Sequence, residues 1–281
     1  MAQTPFLAAY DALLARWPVP SQTRLLTSRF GSTHITACGP ADAPPLLLLH
    51  GGGTTAAVWF ANAAALSRTH RLYAVDRIGE AGRSLRGDHP PRTPAELFGW
   101  LDTVLDGLGL TAPAAVLGHS YGAWLALGYA LRAPERVSRL VLLDPTQCFA
   151  GYRPGYLLHA LPMLLRPTAA RARAFLAWET AGAPIDPAFL DLYGLAAELP
   201  DSRPVVGKRP TATQLRGFTT PTLVLLAADS RPHHPRRVDT AARRLLPGVE
   251  TVIIPGVSHH GLPFQRAEQV NTAALAFLDR V

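Results

Sequence analysis

A serine between two glycines is the first feature of this sequence that could carry out chemistry. Residues 118–122 read G-x-S-x-G with Ser120 at the centre, after an apolar run at 114–117 and before a helix-like stretch at 123–131. Glycines suit this turn because side chains at their positions would crowd the neighbouring backbone. A strand, a tight turn and a helix in this order expose the serine hydroxyl, so the pattern predicts Ser120 as a nucleophile.

A histidine near the end of the chain is suited to act as the base of this serine. Where a nucleophile follows a strand in this way, chain order places the histidine last, after the final core strand. Residues 255–259 read P-G-V-S-H and follow an apolar run at 249–254, which predicts His259 as the general base. His260 is adjacent, and a shift of one residue would exchange their roles, but the P-G-x-x-H spacing favours His259.

A run of three glycines could supply hydrogen-bond donors for an oxyanion. Gly51, Gly52 and Gly53 follow the apolar run at 45–49 after a single histidine. Glycine lets a substrate approach the backbone closely, and the amide of Gly52 is the most suitable donor of this loop. The other donor is the backbone N–H of Tyr121, which lies at the start of the predicted helix.

These candidate residues need a scaffold, and the chain alternates between strand-like and helix-like segments. Residues 24–38 resemble two strands around a glycine, and the stretch beginning at Thr93 and Glu96 has the capping box of a helix start. Short runs rich in Val, Leu and Ile recur at 45–49, 72–75, 114–117, 137–143, 222–226 and 249–254. The alternation predicts an α/β fold, with a mostly parallel central sheet and helices on both faces.

One long stretch interrupts this alternation. Residues 146–217 contain no clear strand, many prolines, and pieces rich in leucine and aromatic residues. The stretch lies between two core strands, so we expect a helical cap over the edge at which open α/β sheets bind ligands. The core is then formed by residues 1–145 and 218–281.

Composition argues against several other classes of protein. Hydrophobic residues make up 48% of the 281 residues and charged residues 17%, and no apolar run approaches the roughly 20 residues of a membrane span. Residues 1–17 lack the pattern of a secretory signal, so we expect a cytoplasmic protein. The formal charge is +7, but only one of the 27 basic residues is a lysine and the arginines are scattered, which argues against nucleic-acid binding.

Cysteine and histidine spacing predicts neither a disulfide framework nor a metal site. Cys38 and Cys148 are too few for such a framework and lack the C-x-x-C spacing, so we expect both to be reduced and buried. His233 and His234 are adjacent, but no carboxylate or cysteine with ligand spacing accompanies them. We therefore expect no metal.

The motifs together resemble those of the α/β-hydrolase fold superfamily and, within it, the bacterial carboxylesterase NP-type group, along nearly the whole chain. The segment at 118–122, the glycine loop and the P-G-x-x-H segment match the superfamily, whereas residues 58–62 and 76–84 match the subgroup. The resemblance implies hydrolysis of a carboxylic ester without a cofactor. If the insertion is a lid, some of its aromatic residues should line an apolar pocket, so we expect a small apolar ester as the substrate. Trp59, in the first subgroup segment, belongs either to the core or to the pocket wall, where it would contact the substrate.

The triad acid is the point at which this sequence departs from the family pattern. The resemblance implies a carboxylate three residues after the small residue that follows the strand at 221–226, and that position is Ser230. A serine cannot stabilise the imidazolium by charge. Asp229 lies one residue early, and Asp144 ends the preceding strand, where other members of the superfamily carry their acid. Both carboxylates remain candidates.

Other activities would use the same residues. A thioesterase or lactonase needs no change in Ser120 or His259, and a biosynthetic cyclase, lyase or transferase would use the same pocket while excluding water. The missing carboxylate at position 230 also fits a non-catalytic receptor for a small ligand. The oligomeric state is left open by the sequence. A serine hydrolase that cleaves a carboxylic ester through an acyl-enzyme is the function that we expect.

Overall fold

A computed structural model describes residues 4–199 and 204–280 of the chain. Within these residues a single sheet contains nine strands. In chain order they are β1 (Ser21–Ser28), β2 (Gly31–Cys38), β3 (Pro45–Leu49), β4 (Arg71–Val75), β5 (Leu85–Arg86), β6 (Ala114–His119), β7 (Val137–Leu143), β8 (Thr222–Ala227) and β9 (Glu250–Ile254). The α/β fold predicted from the alternation of apolar runs is confirmed.

The order of the strands brings the elements of the candidate site side by side. The sheet runs β1-β2-β4-β3-β6-β7-β8-β9, and the short β5 pairs with β2. All pairings from β4 to β9 are parallel, whereas β2 pairs antiparallel with β1, β4 and β5. The carboxyl ends of β3, β6 and β7 therefore meet at one edge, in the middle of the sheet.

Helices cover both faces of the sheet. They are α1 (Pro5–Leu14), α2 (Ala63–Leu66), α3 (Pro94–Gly107), α4 (Tyr121–Arg132), α5 (Pro154–Leu165), α6 (Ala169–Glu179), α7 (Pro187–Ala197), α8 (Ala212–Arg216), α9 (Pro235–Leu245), α10 (Leu262–Gln265) and α11 (Ala267–Leu278), with 3-10 helices at Ala56–Ala61 and Pro134–Arg136. Alternate leucines of β3 supply both cores: Leu47 and Leu49 belong to the cluster with α3, α4 and α9. Leu46 and Leu48 belong to the cluster with α1, α2 and α11. Burial of both faces explains why the parallel strands are continuous apolar runs.

The predicted capping box begins α3. The Thr93 side chain accepts a hydrogen bond from the Glu96 amide, and the Glu96 carboxylate accepts one from the Thr93 amide. Both donors are amides that a helix start leaves without a partner inside the helix. This helix packs its buried residues, among them Trp100, on the same core as α4.

Helices α5 to α8 lie between β7 and β8, in the stretch where the sequence has no strand pattern. Phe189, Leu192 and Tyr193 of α7 are buried in the same cluster as α1. Leu215 of α8 and the following Phe218 are buried in the other cluster, with α4 and α9. The insertion is thus packed on the body of the protein on both sides.

Helix α5 is the element whose apolar side chains are most exposed. Leu157, Leu158, Leu161, Leu164 and Leu165 are between 45% and 71% exposed. Ala160 is its only buried residue. No helix in the described residues is both long enough and apolar enough to cross a bilayer.

Candidate active site

Ser120 lies in a strained turn between a strand and a helix, as the sequence predicts. β6 ends at His119 and α4 begins at Tyr121, and Ser120 between them has φ 54° and ψ −114°. A Cβ at residue 122 would lie 2.6 Å from the His50 carbonyl oxygen and closer still to that of Leu49. Backbone is less able to yield than a flexible side chain, so glycine is required where the turn packs against the end of β3.

His259 connects Ser120 to a carboxylate. The Ser120 hydroxyl donates to His259 Nε2 over 2.8 Å, and His259 Nδ1–H donates to Asp144 Oδ2 over 2.6 Å. All three side chains are buried, with exposed fractions of 8%, 1% and 0% in the order Ser120, His259 and Asp144. A serine, an imidazole and a carboxylate joined in this way can generate an alkoxide nucleophile and stabilise the imidazolium that forms.

Asp144 is the acceptor of an unusually full set of hydrogen bonds. It directly follows β7 with φ 42°, and accepts from the Ala227 amide at 3.1 Å and the Ser230 hydroxyl at 2.6 Å, as well as from His259. His233 Nε2 lies 3.1 Å from Oδ1, the oxygen that also accepts from the Ala227 amide, whereas Ser230 and His259 donate to Oδ2. Burial raises the pKa of this carboxyl, but the charge and hydrogen bonds of His233 and His259 outweigh burial and hold the pKa well below its ordinary value.

Of the two carboxylates that the sequence left open, the structure brings Asp144 to the histidine. Asp229 is exposed, and its backbone amide donates to the Val257 carbonyl. Ser230, which occupies the position where the family pattern has an acid, turns its hydroxyl to Asp144 instead. The carboxylate that contacts the histidine thus lies at the end of β7, and the Ser230 hydroxyl donates to it.

The glycine loop and the start of α4 face the same space as Ser120. Gly52, Gly53 and Tyr121 all line the cavity that contains the serine. Tyr121 is the first residue of α4, and the first amides of a helix have no acceptor within it. Gly51 lies beneath, where a Cβ would come 2.7 Å from His119 Nδ1. Together these amides can bind a negatively charged oxygen.

A buried arginine holds the glycine loop in place from below. Arg77 has no exposed surface, donates to the carbonyls of His50 and Gly51, and forms an ion pair with Glu80. Its guanidinium also lies 4.5 Å from the centre of the Tyr121 ring. Burial, with the charge of Arg77, lowers the pKa of His50 to about 4, so this histidine is neutral and accepts from the Arg77 amide.

Of the two places that the sequence left open for Trp59, the structure shows the core, which corrects the assignment to the pocket wall. It lies in the 3-10 helix Ala56–Ala61 and is completely buried in the cluster with α1 and α11. No residue of this helix lines the cavity that contains Ser120, so the indole fills the core. The residues that line the cavity come from other elements.

The site opens into a cavity of about 710 Å³ between the body and the insertion. Its surface is mostly apolar and aromatic, and its main contributors besides the site itself are Trp124, Tyr156, Ala160, Met163, Leu164, Phe175, Tyr193 and Val206. One side of this cavity is lined by Pro204, Val206 and Gly207, in the segment at 204–211. There the Tyr121 hydroxyl donates to the Val205 carbonyl at 2.5 Å, and the Trp124 indole N–H donates to the Lys208 carbonyl at 3.2 Å.

Two polar residues of this region had no signal in the sequence. His233, which the sequence presented only as a possible metal ligand, contacts Asp144 instead. Glu179, the last residue of α6, accepts hydrogen bonds from residues 258–260 although some 80 positions separate them. Both contacts depend on how loops far apart in the chain are arranged in the fold. Neither residue lies in a sequence motif, so the sequence did not indicate these contacts.

Comparisons with known proteins agree with this arrangement. The model of the Alpha/beta hydrolase family matches residues 46–273. Carboxylesterase YbfK of Bacillus subtilis (strain 168) is 33% identical over 97% of this chain and 93% of its own length. The crystal structure of that carboxylesterase, CesB (YbfK), matches with a TM-score of 0.91 and 32% identity, and covers 98% of this chain and 97% of the solved one.

The similarity extends to a second solved structure of the group that the motifs had indicated. The naproxen esterase (carboxylesterase NP) of Bacillus subtilis matches with a TM-score of 0.90 at 28% identity, over 99% of this chain and all of the solved one. The resemblance to the carboxylesterase NP-type group, drawn from the sequence motifs, is therefore confirmed. With a family model that spans most of its length and a serine, histidine and aspartate joined at the carboxyl edge of its sheet, the chain belongs to the alpha/beta hydrolase family.

Proposed function

We propose that this protein is a serine hydrolase that cleaves carboxylic esters, with Ser120 as nucleophile, His259 as general base and Asp144 as the acid of the triad. The observation that carries the proposal is the continuous pair of hydrogen bonds from Ser120 through His259 to Asp144. Similarity to named carboxylesterases along nearly the full chain supports ester cleavage as the reaction.

The proposed reaction proceeds through an acyl-enzyme. His259 Nε2 takes the Ser120 proton as the hydroxyl oxygen attacks the ester carbonyl, and Asp144 stabilises the resulting imidazolium through Nδ1–H. The amides of Gly52 and Tyr121 donate to the oxygen that becomes negative. The tetrahedral intermediate then expels the alcohol, which takes the proton from His259. Water attacks the acyl group by the same steps, and the acid leaves with Ser120 restored.

The lining of the cavity supports a small, apolar substrate. Tyr156, Met163 and Leu164 come from the insertion, which we propose to act as a cap over the serine. Such a surface gains from burying aliphatic or aromatic groups of a substrate and offers little compensation for burying a charge. An uncharged ester with an apolar acyl or alcohol part fits these properties.

Covalent labelling together with turnover tests this function. Purified protein is treated with a fluorophosphonate probe and assayed with a short-chain p-nitrophenyl ester, in parallel with Ser120→Ala. We expect labelling and turnover in the wild type, and loss of both in the variant by at least about 10³-fold at an unchanged melting temperature. Labelling of the wild type without ester turnover would indicate a specialised transfer or cyclisation reaction instead of hydrolysis. If the wild type shows neither labelling nor turnover, the protein is a receptor rather than an enzyme.

A further inference from the structure

Glu179 is a buried carboxylate of the insertion that contacts the loop bearing His259. It is the last residue of α6 and is 1% exposed. Its Oε1 accepts from the His259 amide at 3.0 Å. Its Oε2 accepts from the Ser258 hydroxyl at 3.1 Å, from His260 Nδ1–H at 3.1 Å and from the His260 amide at 3.4 Å. Each oxygen therefore holds a part of residues 258–260.

These contacts compensate for a burial that would otherwise be costly. Removing a carboxylate from water is unfavourable unless charge and hydrogen bonds replace the lost solvation. Burial raises the pKa of Glu179, but the imidazole of His260 and the loop amides outweigh it and hold the pKa below its ordinary value. Glu179 is therefore an anion. The donors of residues 258–260 fix the position of its carboxylate, and the carboxylate in turn fixes the position of these residues.

Glu179 completes the set of contacts that fixes His259. Asp144 determines the direction of the imidazole through Nδ1, and His119 Nε2–H donates to the His259 carbonyl at 3.0 Å. The His259 amide is the remaining polar group of the backbone, and Glu179 is its acceptor. A shift of α6 would leave that amide unpaired and release the histidine from one of its three anchors.

We propose that Glu179 is a positioning residue for His259. Through its contacts, the packing of the insertion on the body controls how His259 is aligned with Ser120 and Asp144. The proposal rests on the function proposed above. It differs from that function in assigning a role in the reaction to a residue of the insertion that touches neither Ser120 nor the substrate cavity.

The negative charge of Glu179 adds an electrostatic effect to this geometry. It stands behind the imidazole as a second carboxylate after Asp144 and favours the protonated form of His259. The titratable groups that face His259 from the packed elements are His119, Asp144, Glu179, His233 and His260, and those that also lie near Glu179 are Tyr156 and Tyr193. Removal of the Glu179 charge should thus move the titration of His259 to lower pH.

The test compares Glu179→Gln with Asp191→Asn, which removes an exposed carboxylate of the same insertion that forms a surface ion pair with Arg173. In Glu179→Gln we expect kcat for a short p-nitrophenyl ester to fall about 10- to 100-fold, with KM within about twofold, because a small misplacement of the base slows proton transfer. The acidic limb of kcat/KM should move to lower pH. Asp191→Asn should change neither value.

Two further measurements keep the outcome decisive. If Glu179→Gln gives no folded protein, Glu179→Asp takes its place. This variant retains the charge but is one methylene too short to reach the His259 amide. We expect the same loss of kcat, with a smaller shift of the acidic limb of kcat/KM. Fluorophosphonate labelling of each variant separates the two proposals. Unlabelled Ser120 in the wild type would overturn the hydrolase function. Labelled wild type with unchanged kcat and pH profile in the Glu179 variant would overturn the positioning role.

Discussion

Asp144 is the residue at which most polar contacts of the site converge. Its backbone has a positive φ of 42°, which a residue other than glycine rarely adopts. This conformation turns the carboxylate from the end of β7 toward His259, while the Ala227 amide and the Ser230 hydroxyl occupy its other lone pairs. Such strain is typical of functional sites, where the surrounding structure enforces it.

Substitution of the two candidate acids should separate their roles clearly. Asp144→Asn is expected to lower kcat by about 10⁴-fold, because an amide favours the wrong imidazole tautomer and gives the imidazolium no charge. Asp229→Asn, at an exposed carboxylate next to Ser230, serves as the matched control and should stay within about twofold of the wild type. Steady-state kinetics with one ester checks both, and the reverse ranking would reassign the acid to Asp229.

The pH dependence of the reaction follows from the environment of His259. Burial lowers the pKa of its imidazole more than the hydrogen bond and charge of Asp144 raise it, so the net pKa lies below the ordinary 6.5. Because only the neutral imidazole can take the Ser120 proton, kcat/KM should rise with pH, reach half its maximum below 6.5, and be constant around neutrality. A profile of kcat/KM with a neutral ester checks this, and a midpoint above 7 would contradict it.

Residues in local motifs were predictable from the sequence, and residues that act across long distances in the chain were not. Ser120 and His259 are specified by turns that their immediate neighbours define. The choice between Asp144 and Asp229 depends on how the loops after β7 and β8 lie beside each other, and this is a tertiary property. His233 and Glu179 reach their partners across about 90 and 80 residues of chain, so no spacing rule indicates them.

At the scale of elements, the turn between β6 and α4 depends on glycine more than on any other residue type. Gly122→Ala would press a methyl group against the carbonyls of Leu49 and His50. We expect a loss of about 2–4 kcal/mol in the free energy of unfolding, since backbone cannot move aside without disturbing β3. The rate of ester hydrolysis should fall as well, because the turn that bears Ser120 packs at this contact against the end of β3, which leads into the glycine loop.

Gly155→Ala is the control for this change. Residue 155 lies in the first turn of α5, where an added Cβ has no atom within 4 Å. Alanine there should be neutral or stabilising by about 0.4–1 kcal/mol, because it restricts the unfolded chain. Urea denaturation of both variants measures the difference. Equal stabilities of the two would show that the turn is less tightly packed than the structure indicates.

Most strands were predictable because the inner parallel strands are buried on both faces and therefore form continuous apolar runs. The runs at 114–117 and 137–143 correspond to β6 and β7, and the run at 249–254 corresponds to β9 with one residue of difference. The two-residue strand β5 could not be predicted from the sequence, because Leu85 and Arg86 are both exposed and do not belong to an apolar run. Helix α3 was indicated by its capping box, a signal that local hydrogen bonds are enough to produce.

At the scale of the whole molecule, the substrate cavity exists only where the insertion meets the body. Its lining combines the ends of β3 and β6 with side chains of α5, α6 and α7. The sequence indicated that an insertion begins after β7, but not which of its side chains face the serine, since α5 has apolar residues all around and α6 has little amphipathic pattern. Packing alone decides which of them line the cavity.

Neighbouring leucines of α5 allow a matched test of the proposed cap. Leu164 lines the cavity, whereas Leu165, which is 71% exposed, does not. Leu164→Trp should fill part of the cavity and lower kcat/KM for a long-chain p-nitrophenyl ester by at least about tenfold, with the acetate ester within about twofold. Leu165→Trp should leave both esters unchanged. Equal effects on long and short esters would show that this part of the insertion does not limit the acyl chain.

The segment that lines the cavity beside Trp124 also contains the sole lysine among the 281 residues. Lys208 is exposed, while its own carbonyl accepts from the Trp124 indole and the preceding glycine packs against that ring. Besides the α-amine, amine-directed dyes therefore have one group to modify, the Lys208 side chain, which follows Val206 and Gly207 of the cavity wall. A fluorophore on that lysine, introduced without any mutation, places an optical reporter of ligand binding next to the cavity wall.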